Sequence, residues 1–142
     1  MRQSHLSFAR YLNQVEIFTN EIPHHALHGP IVFARNEAAQ HFSPLLVLGR
    51  SGGANRMLNK NGSWLFGNIP HAIKIYPFCF DHHDNHTTIL IDEDSDVITH
   101  DANHGVRMFL DDGAPTDALK SVIKLSKDHL QQWQETNQMC RI

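Results

Sequence analysis

One long amphipathic period dominates the C-terminal third of this chain. Over residues 115–137, Leu119, Val122, Ile123, Leu130 and Trp133 recur at roughly the helical repeat, and Lys120, Lys124, Lys127 and Asp128 fall on the wetter side. The spacing predicts a long C-terminal helix with an apolar stripe. Asp111-Asp112-Gly113 supplies the turn before it, Pro115 and Thr116 open it, and Asp117 stands at its positive N-terminus. Upstream the chain reads as short β-rich segments instead. Strands that do not alternate with long helices argue against a doubly wound α/β sheet.

Those upstream segments can be placed. Val15 and Ile17 flank Glu16 in a short strand. Thr19 or Asn20 caps a short helix running toward His28, with Pro23 in its first turn and Gly29-Pro30 ending it. PIVFAR (30–35) and PLLVLG (44–49) read as strands. Asn61-Gly62 marks a hairpin, because both residues accept positive φ. Asn68 caps a short helix through Ile73, which Pro77 stops. PFCF (77–80) and TTILID (87–92) are strands around a polar loop at 81–86, and 97–99 and 106–109 read as two more. The fold expected is α+β: a mostly antiparallel sheet of short strands, a short N-terminal helix and a long C-terminal helix, in one domain over residues 1–142.

Bulk properties narrow the function classes. The chain has 142 residues, 41% of them hydrophobic, which is enough for a real core. A net charge of −3 and the absence of interleaved aromatic and basic residues disfavour nucleic acid as a partner. Cys79 and Cys140 stand far apart with no CxxC, as expected of reduced thiols in the cytoplasm. The N-terminal segment has no apolar core of a signal peptide, and no apolar run has membrane-spanning length. A cytoplasmic location without membrane insertion is expected.

Five motifs then occur in a fixed order: GPIVF at 29–33, LLVLG at 45–49, GGAN at 52–55, NGSWLFGNIPHAIKIYPF at 61–78 and FLDDGAPT at 109–116. This series resembles the SapC family of bacterial proteins. The family pattern carries tyrosine where Gly29 and Asn68 stand here, and an arginine pair where Lys74-Ile75 stand, leaving one positive charge instead of two. The resemblance runs over about residues 15–125 and implies that the chain corresponds to the family's N-terminal half, as a short form or a truncation. Family members are often encoded near TonB-dependent receptors, tryptophan-halogenase-like proteins and cupin-like oxygenases. The resemblance therefore implies a non-enzymatic accessory protein that handles a peptide or protein substrate linked to the bacterial surface or to outer-membrane uptake; no cofactor is expected, a divalent metal on the histidines apart.

Two sets of residues are candidates for function. The segment 62–78 reads first as packed core, since burying a large side chain contributes about 1.5–3 kcal/mol. Its functional reading is an aromatic–proline groove for an extended peptide, walled by Trp64 and Tyr76 and charged by Lys74, with Asn55 in the same local unit. In it Ile69, Ile73 and Phe78 are expected buried, and Trp64 and Tyr76 half-buried. The second set is the histidines: twelve in all, with His82, His83 and His86 in H-H-D-N-H beside Asp81 and Asp84, and His100 and His104 on a second loop near Asp101. Read as solvated turns they do nothing. Read as ligands they hold a divalent metal and make a metal-dependent enzyme the alternative function, although the spacing matches no HExxH signature. A homodimer is expected if the helix stripe lies uncovered.

Overall fold

The computed structural model describes residues 6–36, 41–83, 86–101 and 104–141. The architecture is α+β. It divides into two compact units, Met1–Ile75 with Gln132–Ile142, and Tyr76–Gln131. The long C-terminal helix is shared: it supplies residues 117–131 to the second unit and 132–139 to the first.

The first unit is built on a three-stranded antiparallel sheet. Its strands are β1 (Gln14–Glu16), β2 (Ile31–Asn36) and β3 (His41–Val47), in the order β1-β3-β2. Strand β3 begins at His41, before the proline expected to open it. Pro44 is tolerated in this central strand because β1 stops beside it. Ile17 N–H donates to Pro44 O (3.0 Å), and the reciprocal bond, which proline cannot make, falls just past the end of β1. Alternation then buries Leu46, and Leu48 beyond it, against Ile17, Ala9, Leu6, Met57 and Ile73. Fully burying such a side chain contributes about 1.5–3 kcal/mol.

Two short helices lean on this core and share one carboxylate. A 3₁₀ turn, Thr19–Glu21, runs into α1 (Ile22–His25), and α2 spans His71–Lys74. Neither is capped by the residue the sequence suggests. Glu21 Oε2 accepts from Phe18 N–H (2.9 Å), and Glu21 Oε1 accepts from His71 N–H (2.9 Å), so one side chain closes both N-termini. Asn68 is exposed, and Pro70 takes the position before α2. Thr19 is used elsewhere, donating its N–H to Thr136 Oγ1 (3.0 Å).

Asn55 ties the N-terminal 3₁₀ turn, Ser7–Tyr11, to the rest of the unit. It is buried; its Nδ2 donates to Ala9 O (3.1 Å), and its Oδ1 accepts from Met57 N–H (2.8 Å). Its backbone N–H donates to Arg10 O (2.8 Å). The turn beyond is wider than a two-residue Asn-Gly hairpin. Asn59 Oδ1 accepts from the amides of Asn61 and Ser63 (both 2.9 Å), and a bridge pairs Leu58 with Trp64. Gly62, at φ 77°, supplies the left-handed residue.

The second unit holds an antiparallel hairpin, β4 (Phe78–His83) and β5 (His86–Ile91). The polar segment expected to be a loop is therefore mostly strand: Asp81, His82 and His83 continue β4. Residues 97–99 and 106–109 form no strands. They are irregular apart from an isolated bridge between Phe109 and Pro115. Helix α3 spans Asp117–Met139, with Thr116 Oγ1 accepting from Leu119 N–H (3.4 Å). Its stripe residues Leu119, Val122, Ile123 and Leu130 are half-buried, whereas its deepest positions are Ser126 and Thr136.

Two outcomes are expected of the first unit. Asn55→Ala leaves Ala9 O and Met57 N–H without their partner, and each buried group left so costs about 1–3 kcal/mol. The urea midpoint should fall accordingly, and an unchanged midpoint would show that water replaces the amide. His25 is also buried, 3.6 Å from Glu21, and its pKa is lowered below 6.5, chiefly by burial, against the pull of the Glu21 carboxylate. The unfolded chain thus binds the proton more readily than the folded one. This contribution to stability is complete above pH 6.5 and is lost as pH falls below it. His25→Gln should flatten that part of the pH profile measured by thermal denaturation; a parallel profile would contradict it.

Candidate functional site

A concavity of the first unit forms where β3 ends. The N–H groups of Leu48 and Gly49 both donate to Asn13 O (2.8 and 3.1 Å), carrying the pairing past Val47. The chain then turns, with Gly53 N–H donating to Arg50 O (2.8 Å), and returns so that Arg56 N–H donates to Leu48 O (2.8 Å). The return is tight: a Cβ on Gly49 would stand 2.5 Å from Ala54 O, so a side chain there would force the backbone apart. The turn and its return line a groove of about 520 Å³ with Arg50 and Arg56. Its floor is apolar, made by Val47, Leu48 and Met57.

The far wall comes from two other segments. His28, just beyond α1, stacks on Phe66 with ring centroids 5.8 Å apart and planes 19° from parallel. Gly67 lets this happen. It sits at φ +57°, and a Cβ there would meet His28 Nε2 at 3.0 Å. The ε-methyl of Met57 closes against Gly29, 2.7 Å from where a Cβ would be, so a side chain at 29 would have to displace it. Electrostatically the groove opposes the rest of the chain. Its lining has two arginines, one histidine and no acid, while the chain as a whole carries −3. Among the described residues neither Arg50 nor Arg56 has an ion pair or a side-chain hydrogen bond.

The residues singled out from the sequence are distributed as follows. Asn55, Trp64 and Lys74 belong to the first unit and Tyr76 to the second. Both ends of the Asn55 amide are engaged with backbone. Trp64 is half-buried against the core, and its indole N–H donates to Phe66 O (2.7 Å), which fixes the wall of the groove from behind. Lys74 is exposed at the last position of α2. Tyr76 is half-buried and its hydroxyl donates to Asp92 Oδ2 (2.8 Å). Ile73 is buried as expected, but Ile69 and Phe78 are only half-buried. His28, Arg50, Arg56 and Phe66 were not apparent as a site in the sequence. They lie on three separate segments, brought together by the return of Arg56 to Leu48 and by the stacking of His28 on Phe66.

The histidine segment is organised by strand geometry. His82 lies on β4 and His83 is the strand's last residue. His82 Nδ1 bonds Thr87 Oγ1 (3.0 Å), directly across the ladder, and its Nε2 bonds His129 Nδ1 of α3 (2.8 Å). His129 also stands edge-on to Phe80, with centroids 4.9 Å apart. The sequence did carry a signal for His129: it lies seven residues after Val122 and four before Trp133, on the inward stripe. His86 is exposed, while the side chain of His83 and all of Asp84 lie outside the described parts. On the second loop, His104 Nδ1 bonds Asp101 Oδ2 (2.7 Å) in an exposed pair, and His100 is exposed as well. Among the described residues no three His, Cys, Asp or Glu side chains converge. Cys79 and Cys140 are unpaired, and burial pushes the Cys140 thiol up, away from the thiolate.

Among the described residues no helix is long and apolar enough to cross a membrane. No match is found among curated proteins or among solved structures. The family model described as SapC does match, over residues 1–142, the whole length of the sequence. The ordered motifs, the α+β architecture and this match lead to one conclusion: the chain belongs to the SapC family.

Proposed function

We propose that this chain is a non-enzymatic accessory protein of the cytoplasm that binds a peptide or protein segment, in service of a bacterial surface or outer-membrane uptake system. The observation that carries the reading is the groove at the end of β3. An apolar floor beside a few convergent polar groups is the usual composition of a binding site. Its walls are held by backbone pairing and by the Trp64 indole, not by flexible side chains alone. A groove already formed before the ligand arrives loses less entropy on binding. Membership of the family supports the accessory role, through the resemblance that places its members beside receptors and oxygenases.

Panning a random peptide display library on the immobilised chain tests the reading. A shared sequence pattern should emerge among the retained peptides. Phe66→Ala, at a position that is 43% exposed, should weaken their binding about tenfold or more without lowering the thermal midpoint much. Trp64→Ala should weaken binding too, because it frees the Phe66 carbonyl. Absence of any enriched pattern, or retention that ignores Phe66, would remove the groove as the binding site.

A further inference from the structure

The groove is positively charged and apolar at once, and this restricts what fits it. Arg50 and Arg56 stand at the two ends of one tight turn, and His28 lies on the opposite wall. A guanidinium offers a planar fork of donors suited to a carboxylate, and those two forks are not spent on any side chain among the described residues. Beside the cations, exposed Phe66 and half-buried Val47, over the nearly buried Met57, present apolar surface, which a phosphate chain or a fully polar anion would leave uncovered. Resting on the peptide-binding reading, we propose that the ligand is an acidic peptide segment. One apolar side chain packs on Met57 and Phe66, and flanking carboxylates engage Arg50 and Arg56. The carboxylates come from aspartate or glutamate side chains or from a free C-terminus.

The charge argument is local. The chain carries fifteen acidic and twelve lysine and arginine residues, so an acidic peptide is repelled by the molecule as a whole. Only a site that concentrates cations and excludes acids overcomes that repulsion. Association should therefore weaken as ionic strength rises and the exposed arginines are screened. A methionine floor is soft and adapts to side chains of different shape, so the apolar contact selects size loosely while the arginines select charge.

Pools of fluorescent peptides test this, each with a central leucine or phenylalanine flanked by glutamate, glutamine or lysine, with free or amidated C-termini. The full chain should bind the glutamate pool at least about tenfold more tightly than the glutamine pool, and the lysine pool least. Arg50→Gln and Arg56→Gln should each weaken the glutamate pool about tenfold and leave the amidated glutamine pool unchanged; both positions are exposed, so the fold should be retained. Amidation that abolishes binding assigns the carboxylate to the C-terminus, and amidation without effect assigns it to side chains. Equal binding of the glutamate and glutamine pools, lost on Phe66→Ala but not on Arg50→Gln, would overturn the acidic ligand and leave peptide binding standing. Binding of no pool, or binding of an oligothymidylate in place of every pool, would overturn both.

Discussion

The first unit depends on the buried amide of Asn55. Asparagine carries a donor and an acceptor on one short planar group, and here each meets backbone: Nδ2 to Ala9 O, Oδ1 from Met57 N–H. Asn55 therefore acts where a strand would otherwise be needed. It holds the N-terminal 3₁₀ turn against the returning limb of the chain without regular pairing between them. Arg56 and Met57 follow it directly, so the same amide sets where one cation and part of the floor of the groove lie. An aspartate of the same shape would lack the donor to Ala9, and an apolar residue would satisfy neither group. The chemistry of the groove thus depends on a residue that need not touch a ligand.

Glu21 plays the corresponding role for the two short helices. A four-residue helix leaves most of its N–H groups without an internal partner, so α1 and α2 are marginal by themselves. One carboxylate accepting from Phe18 and His71 couples the two, fifty residues apart in sequence. His25, buried next to it, is held below its ordinary pKa because desolvation outweighs the attraction of that carboxylate. The group that organises the helices is consequently also the one that meets the added charge when His25 is protonated.

The sequence was informative where the determinant was local. The apolar repeat from Leu119 to Trp133 located α3 to within two residues at either end, and the β-branched runs located β2 and β5. It was less informative where a partner lay far along the chain. Asn68 looks like a cap, but Glu21 caps α2 from outside its own segment. Asn61-Gly62 looks like a two-residue turn, but Asn59 captures two amides and widens it. The polar run at 81–83 looks like a loop, but pairing with β5 draws it into a strand, and His82 gains partners that no spacing rule within H-H-D-N-H would reveal. The candidate site was hidden for the same reason, since its cations and its aromatic wall are joined only by tertiary contacts.

The two concentrations of polar chemistry differ in what they leave available. In the second unit, His82 uses both ring nitrogens, and its tautomer is linked to that of His129: with both rings neutral, one Nε2 or Nδ1 donates and the other accepts. Such a chain is satisfied internally, and it rigidifies the contact of β4 with α3. In the first unit, Arg50 and Arg56 have polar capacity that the fold does not consume. Folding stability gives little reason to place two like charges around an apolar floor, because they repel one another and shield nothing. On the reading proposed above, a bound anion offsets that cost. The satisfied histidine chain is therefore the structural feature, and the unsatisfied arginine pair is where recognition by this member of the SapC family is to be sought.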